Sequence, residues 1–157
     1  MNFGNTLLWG FAATVVLSII IASGRGLALT RIDLPFLLGT IFTPDRDKAR
    51  LYGTIFHFVN GWIFAFIYAA AFTSTGLSTW WFGALIGLVH ALFVLVAGMP
   101  FLPALHPRMA SETTGPDPTR LLEPPGFLSL NYGAGTPIVN IFAHVVYGGI
   151  LGYFYHP

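Results

Sequence analysis

Three histidines, His57, His90 and His144, stand within stretches that contain no Asp, Glu, Lys or Arg, and Asn60 and Asn140 accompany them there. Imidazole ligates metals, exchanges protons near neutrality and hydrogen-bonds through either ring nitrogen, so histidines in an apolar setting offer three chemistries. Polar side chains inside a bilayer are costly, and by default they suggest function. Counting a rise of about 1.5 Å per residue from the charged ends of these stretches puts His57 and His144 each about 8 to 11 Å deep and His90 roughly 13 Å. Three segments thus place a histidine in one layer.

His57 and His144 also open two related stretches, His57-Phe-Val-Asn-Gly-Trp-Ile-Phe-Ala-Phe-Ile-Tyr68 and His144-Val-Val-Tyr-Gly-Gly-Ile-Leu-Gly-Tyr-Phe-Tyr155. With the histidines aligned, Val59 meets Val146, Gly61 meets Gly148, Ile63 meets Ile150 and Tyr68 meets Tyr155, where composition alone would supply roughly one further match. Pro35-Phe-Leu and Pro100-Phe-Leu recur in the same way. The pattern reads as a duplicated two-helix unit. On a helix the matched Gly and Tyr lie within about 40° of the histidine, and the matched Val and Ile on the far side. Gly61 and Gly148 then clear space beside each histidine for a neighbouring helix or a flat ligand.

Three readings fit these residues. In the first, the imidazoles are packing groups bonded to Asn, Tyr or a carbonyl of the next helix. In the second, His57 and His144 ligate a haem-like macrocycle, or His57, His90 and His144 hold copper or zinc, with Asn60, Asn140 and Tyr147 as polar support. Without a carboxylate or thiolate, the spacing is not specific for a metal. In the third, the His57/His90/His144 layer belongs to a small oligomeric transporter or channel. Abundant small residues predict little cavity, which counts against transport.

The elements that must position these groups are membrane helices. Of 157 residues, 55% are hydrophobic and 8% charged, against about 25% charged in soluble domains. Four apolar segments, about 6–23, 51–73, 79–98 and 137–155, are long enough to span a hydrocarbon core, which needs about 20 helical residues. None alternates with a period of two, so helices are favoured over a barrel. The expected fold is all-α, a polytopic integral membrane four-helix bundle in a single domain, residues 1–157. The first segment lacks the basic n-region of a signal peptide and reads as an uncleaved helix. Gly10, Thr14, Ser18, Ala22 and Gly26 repeat along it every four residues, a ridge for close helix approach.

All seven basic and all six acidic residues fall in the connections 24–50 and 100–136. The positive-inside rule places both connections in the cytoplasm and both termini outside. Residues 32–42 are apolar but too short to span, and read as an interfacial or re-entrant helix. The second connection is Pro-rich, and its apolar residues Leu121, Leu122, Phe127, Leu128 and Leu130 predict an ordered docking surface. His106, in Leu105-His-Pro-Arg108, reads as a surface residue. No cysteine is present, which excludes disulfides and thiolate sites. The net charge of +1 gives no case for nucleic acid. Ser111 and Ser129 have no nucleophile-elbow context and no glycine-rich loop follows a strand, so the chain does not read as an enzyme on its own.

The four short spans and the His-x-x-x-Gly helices resemble small bacterial inner-membrane families of unassigned function. The resemblance implies a bacterial inner membrane and no particular chemistry. The combined expectation is a small membrane subunit or binding module, associated with other membrane-protein subunits or with copies of itself.

Overall fold

The computed structural model of the protein describes residues 1–111 and 122–156. Its helices are α1 (Phe3–Gly26), α2 (Leu34–Gly39), α3 (Arg46–Thr75), α4 (Trp80–Phe93), α5 (Met99–Leu105) and α6 (Thr136–Phe154). A π turn, Val94–Gly98, joins α4 to α5, and a 3-10 segment, Phe127–Tyr132, precedes α6. Among the described residues, four helices are long and apolar enough to cross a membrane: α1, α3, the α4–α5 run Trp80–Leu105, and α6.

Three of these exceed the spans expected from sequence, α1 by three residues at each end. Helix α3 begins at Arg46, because Asp45 caps it, its Oδ1 accepting from the backbone N–H groups of Asp47 and Lys48. That satisfies two of the donors a helix start leaves unpaired. The third span was expected to end before Pro100. A proline inside a helix lacks an N–H and crowds the carbonyl four residues back. Here the π turn absorbs the conflict: the N–H of Met99 bonds the carbonyl of Val94, five residues back, and the run continues to Leu105. At the opposite end α3 stops at Gly76, whose φ of 69° turns the chain into α4.

The helices pair through matched small residues. Along α1 and α3, Gly10 meets Ala65, Thr14 meets Gly61, and Ser18 meets His57. Along α4 and α6, Thr79 meets Gly152, Gly83 meets Gly148, and Gly87 meets His144. Both pairs are antiparallel, step by four residues, and set the residue before each His-Gly face at the same level. Backbone meets backbone in the second pair, since a Cβ on Gly83 would strike the carbonyl of Gly148 and a Cβ on Gly148 that of Gly83. Such closeness supplies the dispersion contacts that replace the hydrophobic effect within lipid.

A third seam closes the bundle between α1 and α6. Trp9 stacks on Phe154 with ring centroids 4.0 Å apart, and Gly24 lies against Val139. The fourth seam, α3 to α4, is different. The two backbones stay apart and are bridged by rings: Phe64 on His90 at 3.8 Å and Phe72 near Phe82 at 6.1 Å. Above this level Tyr68, Phe72, Tyr147 and Tyr155 fill the core, each no more than 2% exposed.

Helix α2 lies across the start of α3, with Gly39 over the carbonyl of Ala49 and Gly53 under that of Pro35. His106, expected on the surface, is 1% exposed. Its Nδ1 accepts from the Arg108 N–H (3.1 Å), and its Nε2 lies 3.1 Å from the Leu37 carbonyl and 3.2 Å from Thr40 Oγ1. Arg108 donates to the Thr40 carbonyl as well, so α5 is latched to α2. Burial and the neighbouring Arg108 charge act to hold the His106 imidazole below its ordinary pKa. Of the second connection, residues 112–121, Leu121 among them, lie outside the described residues. Leu122 packs on the core beside buried Met109 and Tyr132, whereas Phe127 and Leu130 are exposed.

Candidate functional site

A cavity of about 280 Å³ opens where α3 and α4 stand apart. His57, His90 and His144 all line it, together with Asn60, Asn140, Gly61 and Tyr147. Gly148, the remaining candidate, sits in the α4–α6 contact. The expectation that small-residue packing would leave little cavity is therefore corrected. The ridges pair α1 with α3 and α4 with α6, and leave the fourth seam to large side chains.

Each imidazole has a distinct environment. The Ser18 hydroxyl donates to the Thr14 carbonyl at 2.7 Å, so the 3.1 Å contact from His57 is an Nε2–H donating to Ser18 Oγ. His144 donates Nδ1–H to the Asn140 carbonyl at 2.9 Å, which leaves its Nε2 as an acceptor. His90 stacks on Phe64, pairs its Nδ1 with Tyr68 OH (3.3 Å), and stands edge-on to His144 with ring centroids 4.6 Å apart. The ring against His144 is thus His90 of the adjacent helix, and His57 turns its Nε2 to α1.

Tyr147 ties the diagonal by donating to the Gly61 carbonyl at 2.6 Å. Asn140 is the exception among these satisfied groups: it is 6% exposed, and its Oδ1 has no hydrogen-bond partner. Leaving such an acceptor unmade inside a protein costs about 1 to 3 kcal/mol.

The three histidines do not form a metal-ligand set. Among the described residues no group of three or more His, Asp or Glu is placed to hold a metal ion. A bis-histidine macrocycle fits poorly too, because His57 is turned to Ser18, His144 is covered by His90, and ligand pockets begin at roughly 300 Å³. The arrangement suits a smaller molecule, with an apolar body against Leu17, Phe64 and Val94 and a polar group at Asn140, His144 and His90.

Ser18, Phe64 and Tyr68 also belong to this site; the sequence reading has Ser18 only in the α1 ridge and Tyr68 on the histidine face, and does not single out Phe64. A signal existed for Phe64, which lies seven residues after His57 and so shares its face. Ser18 carried none beyond its place in the α1 ridge. No family model, curated protein or solved structure matches the chain.

Proposed function

We propose that the protein is a small integral-membrane binding module whose histidine chamber holds a compact ligand with an apolar body and a hydrogen-bonding head. The observation that carries this reading is a cavity lined by all three histidines and by Asn140, whose buried Oδ1 is a costly acceptor without a partner. A ligand donor at that atom removes the cost. Binding is favoured over conduction because Tyr68, Phe72, Tyr147 and Tyr155 block the other half of the bundle.

The proposed setting is the bacterial inner membrane, with the charged connections cytoplasmic, both termini outside and α2 at the interface. The proposed origin is duplication of a two-helix unit, supported by the shared register of α1 with α3 and α4 with α6. The apolar outer faces, Ile55, Val59 and Ile63 on α3 among them, suit lipid, a second copy or the helices of a larger assembly.

Solvent extraction of the detergent-purified protein followed by mass spectrometry tests the reading, with an absorption spectrum before and after dithionite on the same sample. A stoichiometric small molecule is expected, lost from Asn140→Val and His144→Ala and retained by His156→Ala. Identical extracts from all four proteins would refute a ligand site in the chamber. A haem spectrum would replace the compact ligand with the macrocycle.

A further inference from the structure

A second cavity of about 220 Å³ lies between α1, α2 and α3. Its mouth is at the end of the bundle that carries the charged connections, where Ala22, Arg25 and Thr54 are exposed. Arg25 pairs with Asp33 at 2.5 Å, and Arg50 approaches the same oxygen at 3.6 Å. Two guanidinium groups thus share one carboxylate, and the mouth keeps a positive excess. The remaining wall is largely apolar, including Leu34, Pro35 and Phe58.

His57 lines both cavities, as do Ile21, Ile32 and Leu34. The partition between surface cavity and chamber is therefore made of four side chains, and only one of them is held by a polar bond, the donation from His57 Nε2 to Ser18. Ser18 keeps its own bond to the Thr14 carbonyl when the imidazole leaves. Rotation of one ring about its χ angles joins the two spaces, and the net cost is one exchanged hydrogen bond.

We propose that the His57–Ser18 pair is the gate of the chamber, and that it admits a small amphiphile whose head carries an anionic group and, beside it, a hydrogen-bond donor for Asn140 Oδ1 and His144 Nε2, arriving from the surface at Arg25 and Arg50. This rests on the reading of the chamber as a binding site and adds the route and the charge of what binds. The positive mouth concentrates anions, and the apolar wall accepts the body of an amphiphile. The lateral seam between α3 and α4 is the rival path, screened by Phe64 and Phe93.

The cysteine-free chain allows a direct test in proteoliposomes. A cysteine replaces Val94, which lines the chamber and not the second cavity, and its modification by sulfonatoethyl and trimethylammonioethyl methanethiosulfonate is timed. The anionic reagent should react about two- to fivefold faster than the cationic one. His57→Ala and Ser18→Ala should each raise the rate about tenfold, and His57→Gln, which can still donate to Ser18, should leave it near the starting value. A cysteine at Leu95, fully buried in the π turn after α4 and outside both cavities, should remain unmodified in every background. Equal rates at Val94→Cys in all backgrounds would overturn the gate in favour of the lateral path. Modification of Leu95→Cys in His57→Ala would overturn it by making His57 a packing residue, and a faster cationic reagent would overturn the anionic head. None of these readouts requires the bound ligand, so a missing ligand in the extract and a missing gate are separate failures.

Discussion

The α1–α6 and α3–α4 seams occupy corresponding places between the two pairs of ridge-matched helices, yet one is closed and the other holds the chamber. The difference traces to single positions. Gly24 lies six residues after Ser18, and Phe93 six residues after Gly87, the residues that face His57 and His144. At Gly24 the backbone of α1 comes so near α6 that an added Cβ would lie 2.8 Å from Val139 Cγ1. At the matching level α4 presents Phe93, which lines the chamber, and the backbones of α3 and α4 stay apart. Likewise Ile21 on α1 corresponds to His90 on α4, an apolar residue in the tight seam and a polar one in the open seam. Two similarly matched helix pairs thus yield one site rather than two, because one seam holds bulk and polarity.

Changes at the ridges should have the largest effect. Gly148→Leu forces a side chain into the backbone of Gly83, where nothing can rotate away, and should cost about 3 kcal/mol or more, seen as loss of folded monodisperse protein. Gly61→Leu meets the side chain of Thr14, which can change rotamer, so its cost should be nearer 1 to 2 kcal/mol. Reversal of that order in detergent unfolding would mean that the two pairs are not packed as described. Next in size is Phe93→Gly, which makes the open seam resemble the closed one. Spin labels at exposed Ile67 and Leu85 should then report α3 and α4 nearer by about 1 to 2 Å. An unchanged distance would show that Phe64 on His90, and not Phe93, sets the gap.

Helical class, span number and the inward His-Gly-Tyr face were legible because each depends on length and period alone. Tyr68 and Tyr155 are buried and Val59 and Ile63 exposed, as a 100° step requires. What could not be read was partner choice. Small-residue ridges run along several helices, and nothing local says that the α1 ridge meets α3 rather than α4. The chamber, the His90–His144 contact and the Ser18–His57 bond all follow from that choice. The passage of the α4–α5 run through Pro100 and the burial of His106 depend, in the same way, on a π turn and on Thr40, neither of which a linear pattern displays.

Tyr147→Phe removes the hydroxyl that spans from α6 to the Gly61 carbonyl and should cost about 1 kcal/mol. Because the strut passes beside the chamber, the same variant should bind its ligand less tightly with unchanged helix content by circular dichroism. Tight binding would separate the strut from the site.

The smallest effect concerns how the open seam is held at its lower end. Helix α2 packs on α3, and α5 continues α4, so the contacts of His106 with Leu37 and Thr40 bridge the side of the bundle that lacks a backbone seam. In the fold His106 accepts at Nδ1 from Arg108 N–H and donates at Nε2, an arrangement only the neutral ring can make. Its pKa is lowered, chiefly by burial, from an unfolded value of 6.5. Above 6.5 both states carry a neutral ring and the contribution is whole; as pH falls below 6.5 the unfolded chain takes up the proton first, and stability declines until the folded pKa is reached. Thermal unfolding of the protein and of His106→Gln across that window should show a shallower decline in the variant. Parallel curves would mean that the latch does not respond to acid, leaving the lower end of the seam to Arg108 and its bonds to the carbonyls of Thr40 and Ile41.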